Sequence, residues 1–174
     1  MGMSMLRAIA TITAVLVLGL SALGGAATAS STSTGYPAGQ CTAYVASQLS
    51  WIPSNWGNAD VWLIDARRAG FTTISGANVG AVDSGDVAVI AADARTRNGR
   101  ASDDGHVGIV TAIDRGAGTV TLSSVNWPEG DATPTSLAFA TSDIEGYIVP
   151  PAGASMPASL STTSSATWSG GTTS

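Results

Sequence analysis

The sequence of 174 residues holds one cysteine, one histidine and no lysine. Each scarcity removes a class of function. A single cysteine cannot close an internal disulfide, although exported domains often depend on them. One Cys and one His are too few for a zinc site without carboxylates of unknown placement. All seven basic residues are arginine and twelve residues are acidic, for a formal net charge of −5 at pH 7. No basic stripe runs along the chain, which argues against nucleic acid as a partner. The glycine-containing stretch "NVGAVDSGD" lacks the Gly-Lys-Ser/Thr ending of a phosphate loop and reads as a turn. The adjacent acids Asp103 and Asp104 fall in a polar stretch and read as solvated charge, so a paired-carboxylate glycosidase has no support.

The two ends of the chain differ from its middle. Residues 1–29 carry a positive start at Arg7, an apolar run from Ala8 to Leu23 and a small-x-small ending at Ala27-Thr28-Ala29. This is the pattern of a cleaved secretory signal, and the apolar run is short for a membrane span. The expected destination is outside the cytoplasm, in the cell wall or periplasm or free as a secreted protein. Residues 30–34 form a short linker. From Pro151 onward the chain is rich in Ser, Thr and Gly and has no charge, so residues 151–174 are expected to be a disordered tail. Residues 35–150 remain as one domain of ordinary size.

Within that domain the hydrophobic period changes once. Turn material at Gly35–Gly39 leads into a helix from Cys41 to about Leu49, with Cys41, Val45 and Leu49 on one face. A second helix is predicted over 59–69, with Asn58 as its N-cap, Gly70 past its end, and Trp62, Ala66 and Ala69 facing the core. Strands follow at 86–92, 106–114, 119–127 and 145–150. In the third of these, Val120, Leu122, Ser124 and Asn126 share a face. The stretch "AADARTRNGRASDDG" reads as a surface loop. Helices first and strands later give an α+β class: a small antiparallel sheet with the N-terminal helices packed to one side.

Two residues can carry covalent chemistry. Cys41 sits at a helix start, where the positive end of the helix dipole and a nearby imidazolium would favour the thiolate. His106 opens a strand, a stiff support from which an imidazole can face the thiol. A third group must hold the other ring nitrogen, and Asn126 and Ser124 are the candidates. The plainer alternatives are that Cys41 is a small buried hydrophobe and His106 a packing residue.

Four stretches, "YPAGQCTAYVA", "WGNADVW", "GDVAVI" with "GHVGIV", and "SSVNW", resemble in order and spacing the CHAP family, the cysteine- and histidine-dependent amidohydrolases and peptidases of peptidoglycan. The resemblance covers residues 35–150 and implies a papain-like (NlpC/P60-like) fold. It implies Cys41 as nucleophile and His106 as general base and acid, with Asn126 as a further catalytic position. Gln40 and the Cys41 backbone N–H are implied for oxyanion stabilisation. Tyr36, Trp56 and Trp127 are expected to line the substrate cleft. Many members carry Glu where this chain has Ser124, so either Asn126 orients the histidine or the activity is reduced. The expected substrate is a peptidoglycan amide, cut as an N-acetylmuramoyl-L-alanine amidase or as a stem or cross-bridge endopeptidase, with no cofactor and no metal. A wall-docking or secretion-machinery protein is a further expected partner. The rival reading is a non-catalytic wall-binding or surface module on the same fold.

Overall fold

The computed structural model describes residues 34–160. The chain divides between Ser31 and Thr32, and every described residue belongs to the second part. The expected signal at 1–29 lies outside the described residues. Among those residues no helix is long and apolar enough to cross a membrane.

Helix α1 runs Cys41–Gln48. Gly39, at φ 81, turns the chain, and Gln40 is extended at φ −87, ψ 151, so the helix begins at the cysteine itself. Cys41, Val45 and Leu49 are all buried, as their spacing requires. The second helical segment starts later than its pattern suggests. Ala59–Val61 form a 3-10 turn and α2 spans only Trp62–Arg68. Asn58 makes no side-chain cap; its amide donates instead to the Asp104 carboxylate. Trp62 and Ala66 are buried, whereas Ala69 is exposed beyond the last turn.

Eight strands follow among the described residues: β1 Thr73–Ser75, β2 Val87–Ile90, β3 Arg95–Thr96, β4 Gly99–Arg100, β5 His106–Asp114, β6 Thr119–Ser124, β7 Thr135–Ala140 and β8 Gly146–Ile148. Six form one antiparallel sheet in the order β1-β8-β2-β5-β6-β7, and β3-β4 is a separate hairpin. The α+β class holds, with helices on one side of a small antiparallel sheet. Both faces are nevertheless covered, which is why every residue of β2 is buried. Val87 and Val89 join Val107, Ile109 and Ile148 against the helices. Ala88 and Ile90 point the other way, to a second cluster with Leu122, Trp127, Phe139 and Tyr147. The β3-β4 hairpin helps roof that second cluster through Ala94 and Ala101. It lies inside the stretch expected to be a plain loop.

Aromatic packing holds the helices down. Trp56 and Trp62 meet edge-to-face at 5.5 Å, and Trp56 meets Phe71 at 5.3 Å. Each such pair contributes about 0.5–1.5 kcal/mol beyond the area it buries. The Tyr44 hydroxyl on α1 hydrogen-bonds Ser123 Oγ on β6 at 2.7 Å, tying helix to sheet. At the far end, residues 151–160 have no helix or strand, but Met156 and Leu160 lie against the helix-side core. The first ten residues of the expected tail are therefore partly packed. Residues 161–174 lie outside the described residues.

Candidate active site

The start of α1, the start of β5 and the loop after β6 converge on one cleft of about 530 Å³, lined among others by Tyr36, Gln40, Cys41, His106, Asn126 and Trp127. Its formation depends on Gly105, which precedes the histidine at φ 73. A Cβ there would come 2.9 Å from both the Asp60 N and the Ile90 O, backbone atoms that cannot step aside. The missing side chain lets β5 begin close under the 3-10 turn, and Asp60 N–H donates to Asp104 O at 2.9 Å across the same seam.

Cys41 and His106 are both nearly closed off from solvent, at 5% and 3% exposure. Burial pushes the Cys41 thiol up. Hydrogen bonds from the backbone of Val107, Thr42 and Cys41 itself oppose that rise, and the Asp104 carboxylate adds to it. Two of the opposing groups are the first peptides of α1, which is how the helix terminus acts on the sulfur. Burial also pushes His106 down, from 6.5 to about 4. Removal from water thus works against the charged form of both groups, the thiolate and the imidazolium alike.

Ser124 is the histidine's partner. Its Oγ lies 2.9 Å from His106 Nε2, 2.8 Å from the Val107 carbonyl oxygen and 3.2 Å from that of Val125. A hydroxyl has one hydrogen, and a carbonyl can only accept. The arrangement is satisfied when the hydroxyl donates to a carbonyl and accepts from Nε2–H. That assignment leaves Nδ1 unprotonated, as a base requires. Gly108 makes the room: a Cβ at that position would sit 3.4 Å from Ser124 Cβ and 3.0 Å from Leu122 Cβ. The Trp127 ring lies edge-on to the imidazole at 4.8 Å, and its Nε1 donates to the Asn98 carbonyl at 3.0 Å.

Asn126 is placed elsewhere than the alternation along β6 suggests. The strand ends at Ser124, and Asn126 turns to φ 61, so it no longer shares a face with Ser124. Its Nδ2 donates to Gln40 Oε1 at 2.9 Å, and its Oδ1 accepts from Gly130 N–H at 2.6 Å. It thus holds Gln40, not His106. With Oε1 engaged, the Gln40 Nε2 hydrogens remain as donors beside the first turn of α1. Trp56 is a correction: it is 3% exposed inside the helix-side core and does not line the cleft. Tyr36 does line it, fixed by its hydroxyl, which donates to the Pro53 carbonyl at 2.6 Å and accepts from Trp56 N–H at 3.2 Å. Sequence reasoning missed Asn98 and Arg100 as neighbours of the site. Asn98-Gly99 is a strong tight-turn dipeptide, and it was the signal that could have found them.

Comparison with known proteins bears on these features. The staphylococcal secretory antigen ssaA2 of Staphylococcus aureus is 33% identical over 113 residues, covering 64% of this chain and 36% of that protein. The secretory antigen SsaA of Staphylococcus epidermidis is 30% identical, covering 64% and 38%. The chain thus spans little more than a third of the length of these relatives. A crystal structure of an N-acetylmuramoyl-L-alanine amidase from Staphylococcus aureus superposes with a TM-score of 0.55 at 23% identity, over 67% of this chain and 32% of that one, a likeness of fold. Residues 31–126, from just ahead of α1 to the loop after β6, match the model of the CHAP domain, and with more than half its length so matched the chain belongs to the CHAP domain family.

Proposed function

We propose that this chain is an exported thiol hydrolase that cleaves an amide bond of peptidoglycan. The observation that carries the reading is the meeting, in one cleft, of Cys41 at the first residue of α1 and His106, with Ser124 on the imidazole Nε2. The titration directions favour a pair that starts neutral. As substrate fills the cleft, His106 Nδ1 takes the thiol proton while the sulfur attacks the amide carbonyl carbon. The carbonyl electrons move to oxygen, where the Cys41 N–H and the Gln40 amide would receive them. Collapse of this intermediate breaks the C–N bond, and His106 returns its proton to the leaving amine. Water, deprotonated in turn by His106, then hydrolyses the thioester and restores the thiol. No cofactor enters the scheme.

The relatives named as secretory antigens, together with the signal pattern at 1–29, support export to the wall. Membership of the CHAP domain family supports peptidoglycan as the substrate. Both an N-acetylmuramoyl-L-alanine amidase and a stem or cross-bridge endopeptidase fit the mechanism. A protein that docks the domain onto the wall or a component of the secretion machinery is the partner this reading adds. Mass spectrometry of purified peptidoglycan digested by wild type and by Cys41→Ser is the test. Wild type is expected to create new amino termini, whose position names the bond; an uncut wall would move the assignment to a wall-binding module. That second reading is favoured by one observation, the uncharged Ser124 beside an imidazole held down at about 4.

Ser124 acts through the histidine and is a positioning residue. Ser124→Ala is expected to lower turnover by about ten- to a hundredfold, because Nε2–H loses its acceptor and the tautomer with Nδ1–H becomes populated. Ser124→Thr, which keeps the hydroxyl, should restore most of the rate. Proton NMR of the ring nitrogens separates this from a packing defect: Ser124→Ala should show the second tautomer while its melting curve stays close to wild type. An unchanged tautomer with a lowered rate would remove Ser124 from the scheme.

A further inference from the structure

Positive charge is scarce in this chain, and it is concentrated. Arg95, Arg97 and Arg100 are three of the seven basic residues and fall within six positions, on the β3-β4 hairpin. Arg95 and Arg100 are directly opposed across the two strands, so their side chains leave the same face. Like charges so opposed destabilise a strand pair. A hairpin with two residues in each strand has few ladder contacts to offset that. One acid compensates: the Asp93 carboxylate, on a residue turned to φ 62, lies 2.5 Å from Arg100. Arg95 and Arg97 are exposed and enter no ion pair among the described residues.

The hairpin is nevertheless firmly held. Asn98 at its tip accepts from Trp127 Nε1 at 3.0 Å and donates through Nδ2 to the Ala138 carbonyl at 2.8 Å. Thr96 Oγ1 closes the turn onto Gly99 O at 3.0 Å. The tryptophan that anchors the tip is the one lying edge-on to His106, and Arg100 itself lines the cleft. Arg100 thus lines the cleft that holds Cys41, Arg95 leaves the same face of the hairpin beside it, and Arg97 stands at the turn between the two strands. In a chain of net charge −5 they cannot act as a general lure for anions. They can read one local charge on a ligand already seated.

We propose that the β3-β4 hairpin is a carboxylate-binding subsite, in which Arg95 and Arg97, with Arg100 beside them, receive a free carboxylate of the peptide stem whose amide is presented to Cys41. The identity of the ligand rests on the hydrolase reading; the subsite itself rests on the hairpin. Guanidinium forks match a carboxylate's two oxygens, and each bond is charge-assisted. An incoming carboxylate would also relieve the repulsion between Arg95 and Arg100.

The test is isothermal titration of the full chain, as Cys41→Ser so that ligand is not consumed, with two soluble disaccharide-peptides. They are identical except that one carries free stem carboxylates and the other has them amidated. The free-carboxylate ligand is expected to bind about tenfold more tightly, the scale of a charge-assisted contact. Arg95→Gln with Arg97→Gln should erase the difference. Arg67→Gln with Arg68→Gln, which removes the same charge from α2, should preserve it. Equal binding of the two ligands, binding of neither, a difference that survives loss of Arg95 and Arg97, or equal losses in both double variants would each overturn the subsite. So would inorganic phosphate binding more tightly than the carboxylate ligand. A wild type that leaves both ligands uncut while the carboxylate preference persists would overturn the hydrolase reading and leave the subsite standing.

Discussion

Cys41→Ser is expected to retain less than about one ten-thousandth of wild-type turnover. Proton affinity sets the size of the loss. His106 must take the nucleophile's proton, and burial holds it down at about 4, which makes it a weak base. A buried thiol, even with its pKa raised, is still far more acidic than a serine hydroxyl. Backbone hydrogen bonds from Val107, Thr42 and Cys41 that ease ionisation of sulfur cannot close that gap for oxygen. The substitution is small and keeps a polar hydrogen, so the melting temperature should move by no more than a few degrees. The rate of appearance of new amino groups on purified peptidoglycan measures it. Residual activity above about a hundredth of wild type would mean that the sulfur is not the attacking atom.

His106→Gln carries two large effects in different observables. Turnover should fall about a thousandfold or more, since the proton has no acceptor in the attack and no donor in the departure. Stability should change its response to acid. In the unfolded chain His106 takes a proton near 6.5, in the fold only at about 4. Between those values the unfolded state binds more protons. The fold therefore loses stability as pH falls from 6.5 towards 4, by roughly 3 kcal/mol, and the full contribution is present above 6.5. Asp86 works in the opposite sense. Burial raises it from 3.8 to about 6, the Asp83 backbone hydrogen bond resists this, and the Asp83 carboxylate adds to it. Its contribution is full below 3.8 and is lost as pH rises through about 6. The two slopes oppose each other in the wild type. His106→Gln should leave the Asp86 slope exposed, so that the variant becomes more stable as pH drops from 6.5 to 4.5, whereas the wild type changes little. Urea midpoints at the two pH values decide the matter; parallel shifts in both proteins would show that the imidazole is not the group responsible.

The site was legible in the sequence where local chemistry and tertiary packing agree. Gly39 and the Cys41, Val45, Leu49 spacing define both the start of α1 and its buried face, so the sulfur's position could be read directly. His106 at the head of an apolar run was equally plain. What failed was extrapolation of regular alternation. From Val120 to Ser124 the period of two holds, but Asn126 leaves the strand for a left-handed conformation and clasps Gln40. Asn adopts that conformation more readily than most residues, and nothing in the alternation marks the change. The β3-β4 hairpin was hidden because its residues are polar and its strands are two residues long, too short for a period to show. Trp56 could not be told from a cleft residue because an aromatic in a glycine-flanked loop fits either place. The resting charge of the cysteine–histidine pair depends on burial by elements far apart in the chain, which no local pattern carries.

The bond between Tyr44 and Ser123 has a consequence for heat. Ser123 neighbours Ser124 on β6, and Tyr44 lies three residues along the helix that begins with Cys41. One strut thereby links the frame of the sulfur to the frame of the imidazole. Thermal motion cannot draw the two apart without first prying the helix from the sheet, which is the same event as opening the core between them. Whatever reaction the pair performs should accordingly fail on warming only when the domain itself melts, with no inactive yet folded stage in between.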